Sequence, residues 1–293
     1  MDFRTTVSPI KGIEGTISFD KPVILIGSCF TDNIGNLLCQ HGFDALVNPC
    51  GTLYNPASIA SSLLDILYER TYTPDDIFEH QGMWHSFSHH SRFNAATPHE
   101  CLSKINNAIA STANKLRQAS VLTITFGTAY VFRHKETNQI VANCHKLHPN
   151  TFTREMLSAT QIHGLWKKII RELLARNPNL RIIFTVSPIR HLADGQHGNT
   201  ISKSTLLMAT DKLIADFPEN ATYFPAYEIM MDDLRDYRFY ADDMVHPSDV
   251  AINYIYDIFA KSAMNPHTIQ KSRENLRRYK QQLHIPLSEK FRL

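Results

Sequence analysis

Apolar residues in this chain fall into short dense runs separated by longer stretches with a helical repeat. Val23-Ile24-Leu25-Ile26 is the first run. Gly27 then releases the backbone into a polar turn, and the residues from Asp32 to Leu38 bring apolar side chains back at helical spacing. The pattern predicts a buried strand, a tight turn and a helix, with Ser28 where the strand ends. Further strands are predicted at residues 43–47, 121–126, 180–186 and 222–225. Helices are predicted from Pro56 onward and over residues 98–118, 153–176, 203–217 and 247–263. The most regular is 153–176, where Ile162, Leu165, Trp166, Ile169, Ile170, Leu173 and Leu174 share one face.

The remaining stretches are less periodic. Tyr130-Val131-Phe132 and Gln139-Ile140-Val141-Ala142 flank a polar turn, which predicts a hairpin. Met83 to Phe87 reads as a short strand, and His89-His90-Ser91 as a loop. Residues 1–20 read as an irregular lead-in, and residues 269–284 as a solvated basic helix or tail. Strands alternate with helices and no repeat interrupts them. The expectation is one α/β domain over residues 1–264, with its core at 20–262 and a basic segment at 265–293. Its centre is a doubly wound, five-stranded parallel sheet of flavodoxin-like order, carrying the hairpin as an insertion.

Composition narrows the function without naming it. The 293 residues are 43% hydrophobic and 20% charged, enough to bury a full core, and the net charge of +2 gives no case for nucleic acid or an anionic membrane. The amino terminus has no apolar signal-like stretch, and no apolar run approaches the roughly 18 residues of a membrane helix. Five cysteines, odd in number and without CxxC spacing, read as reduced thiols of a cytoplasmic protein.

Chemistry is expected where the strands end. Right-handed crossovers bring the C-terminal ends of parallel strands to one edge, so the residues just after each strand converge. They include Gly27-Ser28, Cys50-Gly51-Thr52, Gly127-Thr128, Ser187-Pro188-Ile189-Arg190-His191 and the loop from Asp243 to His246. A serine hydroxyl needs a base to become a nucleophile, His titrates near neutrality, and a carboxylate fixes the imidazole tautomer. Ser28, His246 and Asp243 are the candidate set, with the amides of Ser28 and Gly51 as oxyanion donors. Cys29 is the competing nucleophile, since only one of two adjacent side chains in such a turn can face His246. It is read here as a small buried hydrophobe. Thr128, His85, Arg190 and His191 are expected to shape the substrate pocket. The fifteen histidines suggest metal, but no HExxH or compact carboxylate cluster accompanies them, so neither metal nor cofactor is expected.

Gly27-Ser28-Cys29-Phe30-Thr31 resembles the motif for which the GSCFA family is named, with Thr in place of the final Ala. The resemblance runs through residues 20–262 and includes Asn48 to Pro56, Phe126 to Ala129, Val141 to Lys146, Ser187 to His191 and Tyr240 to Ser248. That family is similar to the SGNH (GDSL-like) hydrolases. The resemblance implies Ser28 as nucleophile, Asp243 and His246 as its partners and Gly51 in the oxyanion hole. SGNH enzymes carry Gly-x-Asn after the third strand, whereas here Gly127-Thr128-Ala129 has no Asn, and Asn143 on the hairpin is the candidate replacement. The implied function is that of a serine esterase or acylhydrolase working through an acyl-enzyme on a small-molecule or glycan ester, such as an O-acetyl sugar. The alternative is a non-catalytic carbohydrate-binding or scaffold protein on a decayed hydrolase fold.

Overall fold

The first apolar run forms strand β1 (Val23–Gly27), buried along its whole length, and helix α1 (Cys29–Gln40) follows at once. The computed structural model describes residues 5–7 and 12–283. Next come β2 (Ala45–Val47), α2 (Pro56–Leu67), the small hairpin β3 (Phe78–His80) and β4 (Met83–His85), and α3 (Pro98–Gln118). The middle of the chain holds β5 (Val121–Phe126), β6 (Tyr130–His134), β7 (Ile140–Val141), β8 (Phe152–Met156) and α4 (Ala159–Arg176). It continues through β9 (Arg181–Val186), α5 (Gly195–Asp216), β10 (Ala221–Tyr223), the short α6 (Ala226–Glu228), α7 (Asp249–Ala263) and α8 (Pro266–Gln282).

The five expected strands make one parallel sheet in the order β10-β9-β5-β1-β2. Side chains alternate across it, as the period of two requires. Ile24 and Ile26 pack with Ile59, Leu63, Trp166 and Leu206 from α2, α4 and α5 on one face. Val23 and Leu25 pack with Phe30, Ile34, Ile255 and Phe259 from α1 and α7 on the other. The result is three layers with the strand ends left open at one edge.

Three boundaries differ from the sequence reading, each for a local reason. Residues 153–156 are not helical: β8 pairs antiparallel with β6, Tyr130 opposite Met156 and His134 opposite Phe152, so the hairpin is a three-stranded sheet in the order β7-β6-β8. Helix α4 begins only after Ser158, whose hydroxyl accepts the Gln161 amide while the Gln161 side chain accepts the Ser158 amide. Helix α5 starts at Gly195, two turns before its apolar repeat, because its first turns are polar. Pro247 precedes helix α7 instead of opening it. It bridges to Tyr240, and Ser248 is the cap. At the carboxy end, α8 docks through buried Thr268 and Ser272, and Asn275 Nδ2 donates to His41 O at 3.1 Å. Residues 284–293, part of the expected tail, lie outside the described residues.

One buried side chain ties the open edge together. Lys203 of α5 is 1% exposed, and its Nζ donates to Gly127 O at 2.6 Å and Ser187 O at 2.7 Å, the carbonyls just past β5 and β9. Burial lowers its pKa from 10.5 to about 7. Lys203→Met leaves both carbonyls without that donor, and urea unfolding at neutral pH is expected to show a loss of about 2–5 kcal/mol. The folded chain releases a proton that the unfolded chain keeps, so this group makes stability rise with pH between about 7 and 10.5. The difference between wild type and Lys203→Met should carry that slope.

Candidate active site

The strand ends open into a cleft of about 680 Å³. Cys29, Thr52, Thr128 and His191 line its floor, and Tyr130, Phe132, Val141 and Asn143 of the β6-β7-β8 region form one wall. His246 and Val245 also line it. A second depression of about 560 Å³ runs along α8 and is lined by Lys261, Arg273 and Arg277, with no nucleophilic side chain among its lining residues.

Asp243 and His246 share one turn, in which Met244 adopts a positive φ of 57°. His246 Nδ1 lies 2.5 Å from Asp243 Oδ2, and the amides of Val245 and His246 both donate to Asp243 Oδ1 at 2.9 Å. The backbone donors, with the His246 ring, pull the Asp243 carboxyl down to about 2. A carboxylate fixed in this way accepts a hydrogen bond from Nδ1–H, which sets the tautomer and leaves the Nε2 lone pair facing outward.

What stands before that lone pair is a thiol. Cys29 Sγ lies 3.9 Å from His246 Nε2. Ser28 is 1% exposed, and its hydroxyl has no hydrogen-bond partner among the described residues. The structure therefore does not bring Ser28 to His246. The reason is where the helix begins. Ser28 occupies the cap position with extended backbone, without using its side chain as a cap, and Cys29 is the first helical residue. One residue on a helix turns the side chain by about 100°, and that step carries Cys29 to the cleft. Burial, then Asp32, push the Cys29 thiol up, while the amides of Cys29 and Phe30 and the Lys203 charge pull it down; the net shift is upward.

The turn is braced by a residue the sequence marked only as part of a loop. Asn48 is fully buried with a positive φ of 44°. Its Oδ1 accepts the Gly27 amide at 2.8 Å, and its Nδ2 donates to Asp32 Oδ1 at 2.7 Å. Thr52 Oγ1 donates to Asp32 Oδ2 at 3.1 Å. Gly51 supports the same loop. Its φ is 88°, a Cβ there would lie 2.1 Å from His90 Cβ, and its amide donates to Asn48 O at 2.8 Å. That amide is committed to the loop and is not aimed into the cleft, contrary to the expected oxyanion role.

The other expected residues separate into two groups. Thr128, Arg190, His191 and Asn143 do line the cleft. Thr128 Oγ1 is tied to Ser202 Oγ at 3.1 Å, and the Asn143 side-chain Oδ1 accepts the His145 amide at 2.8 Å, a local turn contact. Burial, then the Lys203 charge, lower His191 to about 4, so its ring is neutral at physiological pH. His85 does not reach the cleft. It is 7% exposed, its Nδ1 lies 3.2 Å from His145 Nδ1, and its ring stacks on Phe78. The β3-β4 hairpin turns it inward, which makes it a packing residue. Among the described residues no three His, Cys, Asp or Glu side chains gather as a metal-ligand set, and all five cysteines are unpaired. No helix among the described residues is long and apolar enough to cross a membrane.

Comparison with solved structures gives distant likenesses. A Clostridium thermocellum family 3 carbohydrate esterase is 13% identical, with 87% of this chain and 98% of that chain covered and a TM-score of 0.40. A family 3 carbohydrate esterase from Talaromyces cellulolyticus is 10% identical, covering 87% and 99% at a TM-score of 0.41. A family 2 carbohydrate esterase with a carbohydrate-binding domain from Corynascus thermopiles is 12% identical, covering 84% and 66% at 0.45. No curated protein matches. At these identities the cleft has to be read from its own residues. The GSCFA family model matches residues 22–259, from β1 into α7, and the chain belongs to the GSCFA family.

Proposed function

We propose that this protein hydrolyses an ester through a thioester formed on Cys29, with His246 as the base and Asp243 as its anchor. The observation that carries the reading is the line of contacts from Asp243 Oδ2 to His246 Nδ1 (2.5 Å) and from His246 Nε2 to Cys29 Sγ (3.9 Å), at the floor of a cleft of about 680 Å³. Nucleophile, base and orienting carboxylate occur there in the order that acyl transfer needs.

The steps follow from the charges. The Cys29 thiol is neutral at rest, because burial and Asp32 oppose its ionisation. His246 Nε2 removes the thiol proton as sulfur attacks the ester carbonyl carbon, and the carbonyl oxygen becomes an oxyanion. Two amides suit that charge: those of Cys29 and Thr52, neither of which has a carbonyl acceptor among the described residues. Collapse of the tetrahedral species breaks the carbon–oxygen bond, and His246 returns the proton to the departing alcohol. Water then attacks the thioester with His246 again as base, releasing a carboxylic acid and restoring the thiol. Asp243, held ionised to about pH 2, offsets the imidazolium charge in both halves.

Two experiments test this reading. On p-nitrophenyl acetate, Cys29→Ala is expected to abolish turnover, and His246→Ala to lower kcat by about 10²–10⁴-fold. Ser28→Ala should stay within a few-fold of wild type, since its hydroxyl has no partner to lose. Loss of activity in Ser28→Ala with retention in Cys29→Ala reverses the assignment. The second test is the pH profile of Cys29 alkylation by iodoacetamide, followed by peptide mass spectrometry. The raised thiol pKa places its midpoint above the ordinary cysteine value. A midpoint well below it would mean a preformed thiolate–imidazolium pair.

A further inference from the structure

Charge around the cleft is one-sided. Two arginines, Arg154 and Arg190, line it, and no Asp or Glu is among its lining residues. The nearby carboxylates are already engaged. Asp194 holds Arg154 through two hydrogen bonds of 2.8 and 2.7 Å, Asp32 receives Asn48 and Thr52, and Asp243 receives His246 and two amides. Arg154 is also stacked over Tyr130 and Phe132, at 4.9 and 4.5 Å from the ring centroids. Its charge is met by a carboxylate and one edge of its fork is taken.

Arg190 differs. It follows β9 on the cleft wall and is half-buried. Its one hydrogen bond among the described residues is from Nη2 to the thioether sulfur of Met231 at 3.1 Å, a weak neutral acceptor. It has no carboxylate partner among the described residues. A guanidinium carries five N–H donors in a fork that matches an oxyacid anion, and placing it on a cleft wall beside a soft acceptor leaves most of that capacity open. The Lys203 amine beneath the floor is spent on two carbonyls.

We propose that Arg190 is the receptor for an anionic group of the substrate, in the simplest case a carboxylate, so that the ester presented to Cys29 belongs to a negatively charged molecule. The inference rests on the acyl-transfer reading for the reaction, but the anion site itself can be measured without it. The charge can sit on the acyl side or on the alcohol side of the ester, and the two placements are told apart by substrate.

The experiment compares alkylation of Cys29 by anionic iodoacetate and neutral iodoacetamide, with glutathione as the free-thiol reference and peptide mass spectrometry to assign the site. In the wild-type protein the iodoacetate-to-iodoacetamide rate ratio is expected to exceed that of glutathione by at least about tenfold. The excess should shrink with added salt, collapse in Arg190→Met and survive in part in Arg190→Lys. A parallel arm measures kcat/KM for mono-p-nitrophenyl glutarate (charged acyl group) and 4-acetoxybenzoate (charged alcohol) against p-nitrophenyl acetate. One charged ester should be preferred, and that preference should be lost in Arg190→Met. A wild-type alkylation ratio equal to that of glutathione and unmoved by Arg190→Met overturns the proposal. So does turnover of all three esters without an Arg190-dependent preference. A raised, Arg190-dependent ratio with no ester turned over supports the anion site and overturns the ester reading instead.

Discussion

The end of β1 runs so close to β5 that a Cβ on Gly27 would lie 2.3 Å from Thr125 O. Only a glycine passes there, and its amide must find an acceptor away from water. Asn48 supplies it with one carboxamide, whose other end holds Asp32 in the first turn of α1. Arg92 in turn donates to the backbone carbonyls of Asn48 and Pro49. A single buried side chain thus fixes the strand end, the helix start and the loop after β2 relative to one another. The direction of Cys29 on the cleft floor descends from that arrangement, because it holds the strand end against the first turn of α1.

Much of the framework was legible because it is written in long, redundant patterns. Each central strand is a dense apolar run, and Trp166, Ile169, Ile170 and Leu173 repeat one face of α4 several times over. A single ambiguous position cannot erase such signals. What escaped was written once. β8 is five residues of mixed polarity whose strand character comes from pairing with β6, a long-range contact that no local window contains. The first turns of α5 are polar, so nothing periodic announces them.

The site shows the same limit at finer scale. Asp243 and His246 were readable as an Asp-x-x-His turn, since three residues of spacing suffice to bring their side chains together. Ser28 and Cys29 were not separable in this way. Both are chemically competent, they are adjacent, and the choice depends on a one-residue offset in the helix start. Gly51 misled for a related reason: its freedom from a side chain is used for backbone conformation and clearance from His90, and its amide is spent within the loop. Asn48 was invisible as a brace because Asn before Pro is an ordinary loop signal.

The walls of the cleft come from different parts of the molecule. Its floor and the Asp243–His246 turn belong to the edge of the parallel sheet, whereas Tyr130, Phe132 and Val141 stand on a separate antiparallel sheet. These two units answer to different packing demands. Substitutions on the antiparallel sheet can reshape the cleft mouth while the buried carboxamide and lysine hold the floor still. The architecture separates what shapes the mouth of the cleft from what holds its floor, so the two can change in sequence independently.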